Sequence, residues 1–535
     1  MSKPDLLVFM SDEHAPGFSS YEGGPARTPN MEKLCENGAS FGAAYTSCPL
    51  CVPARISMLM GKLPTKTGVF SNDGAIPETS ATFLHSLVAA GYETVLVGRM
   101  MFVGTNQRHG FTKRFVGDMS PVTWNRPMQK LKAERGVTQS GFADPWCLNV
   151  SGGGDSPVLE YDKDVVRAAL EYLSQDHEKP QCIVVGVYAP HFPYIAPVES
   201  YLYHKARMKV PDSFRNVPEY LNPVLRERVL DVPEEVMIRT RSAYFGLIEN
   251  CDANLGLVRD AFTKYLERNN RDGVFAYISD HGDQAGDRRI FGKETHFETA
   301  ARIPFMVEGK GIKKGLKINT PVSIMDLGPT LCELAGATLP PVQDGRSLLP
   351  ELAVAGRESD QERAVLCEAI NTVIPGFSDD MLEQYADQIK ELTSLMPHSV
   401  EHTDIPGFEK ILARHILRMG GDPEEIGLKT VVSRMVRKGN YKYITYIGYE
   451  EYDLLFDLSG DPEEKYNIAA QHPDIVRAMK EIALKDWDPE TVVQNHQNYL
   501  ANIGLVKRWE SEVGGDDLER WSKNPEHARG MPQVT

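Results

Sequence analysis

Short apolar runs rich in β-branched and aromatic residues recur along the chain, at residues 6–10, 94–97, 182–188, 274–278 and 303–307. Between them lie amphipathic helical patterns at 82–90, 165–173, 243–266 and 325–334. This alternation predicts an α/β fold in which buried strands form a large, mostly parallel sheet flanked by helices. Ligands of such sheets gather beyond the carboxyl ends of the strands. Polar residues cluster at those ends: Ser11-Asp12-Glu13-His14 after the first run, Ala189-Pro190-His191 after the third and Ser279-Asp280-His281-Gly282-Asp283 after the fourth.

The texture changes after Asp344-Gly345-Arg346-Ser347. Residues 370–428 read as helical and charged, without strand patterns. From Thr430 the runs 438–444 and 452–458 alternate apolar with polar positions, which predicts antiparallel strands. The expected organisation is a large α/β domain over 1–366, a helical insertion over 367–429, a smaller C-terminal α+β domain with an antiparallel sheet over 430–485, and a tail over 486–535. The tail holds a helical stretch at 489–505 and reads either as a frayed terminus or as an oligomerisation arm packed on a neighbouring copy.

At 535 residues and a formal charge of −16 the chain is too long for one small core and too acidic to favour nucleic acid as a partner. No apolar run is long enough to span a bilayer and no signal-peptide pattern opens the chain, so a cytoplasmic protein without a membrane partner is expected. Eight cysteines, at 35, 48, 51, 147, 182, 251, 332 and 367, lack the density of a disulfide framework and read as reduced thiols. Cys48 and Cys51 form a C-x-x-C pair, open to a redox or half-zinc-site reading, but no second C-x-x-C accompanies it.

The most informative run is Cys51-Val52-Pro53-Ala54-Arg55, which continues to Gly61. Pro53 suits the first position of a helix, where its missing N–H costs nothing, and this places Cys51 at the helix mouth. Unpaired N–H groups and the helix dipole favour anions there, and Arg55 returns to the same face with a planar donor fork. Taken alone, the run also suits a buried structural cysteine beside an ordinary surface arginine. Asp12 and the Asp280-His281 pair, far apart in sequence but each after a strand, can converge on one cation. They can equally cap loops at strand ends. Carboxylates suit a hard divalent metal, and an imidazole shifts the preference toward manganese or zinc.

The run resembles the activation motif of the type I sulfatases in the alkaline phosphatase superfamily, where Cys-x-Pro-x-Arg precedes a helix ending in glycine. Asp12 after the first strand, Asp280-His281-Gly282-Asp283 late in the domain and Lys293 about a dozen residues on also match that pattern. Residues 102–111 and the run Asp486-Trp487-Asp488-Pro489 are similar to the choline-sulfatase and phosphonate monoester hydrolase branch.

The resemblance implies an alkaline-phosphatase-like fold and hydrolysis of sulfate monoesters to sulfate and an alcohol. It implies that a maturase oxidises Cys51 to formylglycine, and that one divalent ion, calcium or manganese, is held by Asp12, Asp280 and His281 beside Cys51. Glu13 stands where the superfamily often has another oxygen donor and is a further candidate ligand. Arg55 and Lys293 would balance charge on the transferred group, His191 would protonate the leaving oxygen, and Asn72 would contact the anion or the metal region.

One departure concerns Gly98-Arg99-Met100-Met101, where sulfatases usually carry Gly-Lys-x-His. Arg99 keeps the charge of an anion-binding residue, but Met101 can neither transfer a proton nor donate to an anion. Turnover must then use His191, Lys293 or another base such as His296. Phosphonate monoester hydrolases also lack that lysine and histidine, so phosphonate monoesters and phosphodiesters stay open as substrates. A catalytically silent anion-binding or assembly subunit stays open as well, and a homo-oligomer is expected. Trp124 and Trp146 suit a substrate pocket and a core equally.

Overall fold

The computed structural model describes residues 3–120, 122–124, 146–149, 151–354, 360–374 and 428–514. Eight strands build the main sheet: β1 (Asp5–Asp12), β2 (Gly38–Phe41), β3 (Glu93–Gly98), β4 (Lys113–Phe115), β5 (Gln181–Pro190), β6 (Gly273–Ser279), β7 (Phe305–Gly309) and β8 (Leu316–Ile318). Their order across the sheet is β8-β2-β7-β6-β1-β5-β3-β4. β7 pairs antiparallel with both neighbours, and all other pairings are parallel.

Every residue of β1 is buried because both faces of the sheet are covered. Leu7 and Phe9 enter a core shared with two helices, α3 (Pro157–Leu173) and α4 (Glu234–Asn269). Leu6, Val8 and Met10 point the other way, into a core with α1 (Cys51–Met60), α2 (Phe83–Ala89) and α5 (Leu327–Ala335). Alternation of side-chain direction along an unbroken apolar run therefore fills two layers at once. Among the described residues no helix is long and apolar enough to cross a membrane.

A second sheet of four antiparallel strands follows, in the order β9 (Ala364–Val373), β10 (Lys429–Lys438), β11 (Tyr441–Tyr446), β12 (Leu454–Asp457). β9 corrects the expected boundary at 366/367. Its ten residues pair one for one with β10, from Ala364↔Lys438 to Val373↔Lys429, so both ends of the segment read as a helical insertion are strand. The strand pattern of β9 is weak on its own and is supported by the partner it meets some 60 residues later. Residues 375–427, where the rest of the helical expectation falls, lie outside the described residues.

The second sheet packs on the first unit rather than standing apart. Val365, Cys367, Met435, Ile444 and Phe456 share a core with Tyr45 and Phe297. Lys442, fully buried, donates to Glu298 at 3.0 Å and pairs with Glu464 at 2.8 Å. Helices α6 (Pro473–Leu484) and α7 (Pro489–Val513) follow. α7 continues beyond the expected stretch and lies on the same chain: Tyr499 Oη donates to the Asp73 carbonyl at 2.9 Å and Lys507 Nζ pairs with Asp73 Oδ2 at 3.0 Å. The last part of the expected arm, 515–535, lies outside the described residues.

Candidate active site

Helix α1 begins at Cys51, two residues before the expected start, and all ten of its residues are buried. Pro53 still fits, because first-turn N–H groups have no intrahelical acceptor and a proline there forfeits nothing. The Val52 N–H, one such orphan, donates to Asn72 Oδ1 at 3.1 Å. Gly61, with φ at 66°, ends the helix in the left-handed region that favours glycine.

The carboxyl ends of the adjacent strands β1 and β6 bring Asp12, Asp280 and His281 up to this helix mouth. Arg55 is 1% exposed, and it spends its fork on two carboxylates instead of presenting it to a bound anion as the sequence suggested. Its Nε donates to Asp280 Oδ2 at 2.8 Å, its Nη2 to Asp12 Oδ2 at 3.0 Å, and its Nη1 to the Arg99 carbonyl at 3.3 Å. The other oxygens turn inward, with His281 Nε2 lying 3.9 Å from Asp12 Oδ1 and 3.8 Å from Asp280 Oδ1. Cys51 Sγ is 3.1 Å from His281 Nε2 and 3.6 Å from Asp12 Oδ1.

Donor atoms from Asp12, Cys51, Asp280 and His281 thus lie within 4.8 Å of one another, all buried. His281 Nδ1 faces the Gly282 carbonyl at 2.9 Å, so Nδ1 carries the proton and Nε2 keeps a lone pair for the cluster. Two carboxylate oxygens, an imidazole lone pair and a sulfur around one gap fit a divalent cation, and the nitrogen favours manganese or zinc over calcium. Burial alone would raise the Asp12 carboxyl, but the charges of Arg99, Arg55 and Lys293 hold it well below the usual range. Burial, reinforced by Asp12, pushes the Cys51 thiol up to about 12, so the unmodified side chain is no thiolate nucleophile.

Beside this cluster stands a second group from the ends of β1, β5 and the 293 loop. Lys293 Nζ lies 2.8 Å from both Glu13 Oε2 and His191 Nε2. His191 Nδ1 faces the Phe192 carbonyl at 2.7 Å, which places its proton on Nδ1 and makes Nε2 the acceptor from Lys293. Burial, then the Lys293 charge, pushes His191 well below the ordinary imidazole value and keeps it neutral. Burial works against the Lys293 ammonium, yet the neighbouring acidic groups, Glu13 and Asp12 among them, hold it well above the usual lysine value. Glu13 is thus placed on Lys293 and His191, while its backbone N–H donates to Asp280 Oδ1 at 3.0 Å.

Arg99, expected at the anion, and His296, a candidate base, are placed differently. The Arg99 guanidinium is fully engaged, with Nε on Asp12 Oδ2 at 2.6 Å, Nη1 on Asp118 Oδ1 at 3.3 Å and Ser120 Oγ at 2.8 Å, and Nη2 on Met101 Sδ at 2.9 Å. Its face lies 4.0 Å from the Tyr188 ring centroid. Arg99 is a partner of Asp12, and Met101 packs against it. His296 turns to the second sheet, where its Nε2 meets Ser433 Oγ of β10 at 2.9 Å and burial pushes its imidazole down to about 3. Changing His296 to glutamine is therefore expected to leave kcat/KM within about threefold and to cost about 1 kcal/mol of stability, the worth of one buried hydrogen bond. Steady-state kinetics and a thermal melt check it.

Asp118 went unnoticed in the sequence. It holds Arg99 and also accepts from the Met101 N–H at 2.7 Å, yet a lone Asp in a loop carries no signal of that duty. Asp283 was visible in the strand-end run but not assigned. It accepts from Tyr194 Oη at 2.7 Å and from the Gly292 N–H at 2.9 Å, next to Lys293. Trp124 packs on Gly104, whose φ of 101° and lack of a Cβ leave room for the indole. The Trp146 side chain lies outside the described residues. All eight cysteines are free, Cys48 and Cys51 included.

With this geometry in place, comparison with known proteins decides the family. The sulfatase family pattern matches residues 4–337, well over half of the chain. The chain belongs to the sulfatase family. It is accordingly a hydrolase, in a family that generally uses formylglycine and a divalent metal ion. It is similar to the choline-sulfatase of Rhizobium meliloti (strain 1021), 35% identical over 376 residues that span 65% of this chain and 71% of that one. It is also similar to the arylsulfatase K of Homo sapiens, 23% identical over 578 residues, 99% of this chain and 94% of that one.

Two solved structures share the fold of this sulfatase family member. The phosphonate monoester hydrolase of Agrobacterium radiobacter superposes with a TM-score of 0.63 at 18% identity, covering 92% of this chain and 96% of that one. A protein solved with its substrate D-glucosamine-2-N,6-O-disulfate superposes with a TM-score of 0.64 at 18% identity, covering 93% and 99%.

Proposed function

We propose that this sulfatase hydrolyses sulfate monoesters at the mouth of α1, using formylglycine made from Cys51 and one divalent cation held by Asp12, Asp280, His281 and residue 51. The observation that carries the reading is the buried cluster of those four donor groups at the positively poled end of a helix. The hydrated aldehyde would supply one oxygen to attack sulfur and another to release the bound sulfate by C–O cleavage. The cation would polarise the ester and offset its charge.

The chain's own residues divide the remaining work. Arg55 fixes the orientation of both carboxylates by gripping their outer oxygens, and Arg99 braces Asp12 from the other side. Asn72 ties the helix mouth at Val52. His191 holds no proton on Nε2 at rest, so the leaving oxygen receives its proton from Lys293, directly or through His191 across their 2.8 Å contact. Soaking the matured protein in a chelator is expected to lower activity more than about tenfold, with recovery on added manganese, because second-layer anchoring alone cannot replace the lost charge.

Arg99 and Met101 favour a second reading, hydrolysis of phosphonate monoesters or phosphodiesters at the same site, since each leaves a singly charged tetrahedral centre. Parallel assays of matured protein with an aryl sulfate, choline sulfate, an aryl phosphonate monoester and a phosphodiester rank the readings. Peptide mass spectrometry at residue 51 accompanies them. An aldehyde there with sulfate ester turnover supports the proposal, whereas a persistent thiol with no turnover of any ester would favour an anion-binding or assembly subunit.

A further inference from the structure

We propose that Asp162, a fully buried residue of α3, is a positioning residue for the reaction: its carboxylate pins a bulge at the end of β5 and thereby sets His191 in place. The inference rests on the proposed function, in which His191 and Lys293 deliver a proton to the leaving oxygen.

The end of β5 departs from its ladder on both sides. Against β3 it pairs as far as Gly98↔Gly186. Against β1 it pairs residue for residue up to Met10↔Gly186, but the next pair is Asp12↔Pro190, so the bulge lies wholly on β5. Extra residues of this kind leave backbone groups unpaired and bend the strand, often beside an active site. Tyr188 and Ala189 fall in the bulge and are buried, where an N–H without an acceptor is costly. One carboxylate takes both: the Tyr188 N–H donates to Asp162 Oδ1 at 2.7 Å and the Ala189 N–H to Asp162 Oδ2 at 3.0 Å.

A carboxylate is a costly group to place there. Asp162 is 0% exposed and forms no ion pair among the described residues, and burial pushes its carboxyl up to about 7 although both N–H groups pull the other way. What it offers over a hydroxyl or an apolar side chain is two acceptor oxygens at a fixed spacing, which orient two successive peptides together. Those peptides begin the turn that carries His191, whose N–H donates to the Tyr188 carbonyl at 3.2 Å. The Tyr188 and His191 rings also meet edge to face, with centroids 4.9 Å apart and planes at 75°. The orientation of Tyr188 therefore fixes His191 twice, through the turn and through the ring, and His191 Nε2 reaches Lys293 Nζ at 2.8 Å. Tyr188 also faces the Arg99 guanidinium, but Arg99 has Asp12, Asp118 and Ser120 as partners independent of the bulge. Loss of the pin should fall on proton delivery and spare the metal cluster.

The test uses two replacements in the full-length, matured chain. Asp162→Asn keeps the shape but turns an NH2 toward one of the two N–H groups, and Asp162→Ser leaves at most one acceptor. Values of kcat/KM are measured with 4-nitrophenyl sulfate, whose phenolate departs without a proton, and with phenyl sulfate, whose leaving oxygen needs one. In both variants kcat/KM is expected to fall roughly 30-fold for phenyl sulfate and less than about threefold for 4-nitrophenyl sulfate, because placement of the proton donor matters only where a proton must be delivered. Bound metal after dialysis against manganese is expected to match the wild type. Equal losses on the two esters, or no loss, overturn the inference and leave the proposed function standing. Loss of the metal in both variants also overturns it, since the damage would then run through Asp12. Circular dichroism checks the fold: one folded variant is enough to decide, and if neither folds, Asp162 serves the fold alone and the inference falls. Wild type that turns over neither ester defeats the proposed function itself, and the inference with it, before any variant is compared.

Discussion

Changing Cys51 to alanine is expected to reduce kcat/KM roughly 10⁴-fold or more while leaving the fold intact, the size of loss that follows removal of a covalent nucleophile. In the proposed mechanism alanine lacks the sulfur through which a maturase oxidises Cβ to the aldehyde, so neither the attacking oxygen nor the one that releases the product would form. The fold should tolerate the change because the surrounding ion pairs do not run through the sulfur. Arg55 is held by Asp12 and Asp280, Arg99 by Asp12 and Asp118, and Lys293 by Glu13. The measurement is sulfate ester turnover by matured protein beside a thermal melt. Activity within tenfold of wild type would remove residue 51 from the chemistry.

Changing Asp12 to alanine is expected to have the opposite profile, with a large loss of stability as well as activity. Asp12 Oδ2 accepts from both Arg55 and Arg99, two guanidinium groups each 1% exposed. Removing the carboxylate leaves two buried positive charges short of a partner, which costs about 3–5 kcal/mol, because the desolvation of the arginines is no longer offset. A midpoint shift in urea at constant slope would read that cost directly. A loss under about 1 kcal/mol would mean that Asp118, Asp280 and the Tyr188 face hold the arginines without Asp12. Metal binding should fall in the same variant, since Asp12 faces the cluster with its other oxygen.

These two residues also mark how far the chain could be read before its structure. Cys51 was legible because its neighbours in sequence, a proline and an arginine with a fixed spacing, are also its neighbours in space along one helix turn. Asp12, Asp280, His281 and His191 were legible because each directly follows an apolar run, and adjacent strands of a parallel sheet deliver their carboxyl ends to one place. What Arg55 and Arg99 grip was not legible. A guanidinium reads the same in sequence whether it awaits a substrate or already holds two buried carboxylates, and only the contacts in the folded structure separate these. Asp118 and His296 failed in opposite senses for the same reason: a single polar residue in a loop takes its partner from whatever the fold brings near.

The periodicity of apolar residues was enough to define the two layers of helix around a mostly parallel sheet, since burial on both faces demands unbroken apolar strands. The local motif was enough to place Cys51 at the mouth of a buried helix. Pairing of β9 with β10 across residues 375–427 depended on long-range strand partners, whose weak individual patterns gain support only when paired. The division of charge at the site, with Arg55 and Arg99 spent on Asp12 and Asp280 and Lys293 spent on Glu13 and His191, was likewise settled by distances between residues up to 280 positions apart. Electrostatic partnership depends on a few ångströms in space, and spacing along the chain does not encode it.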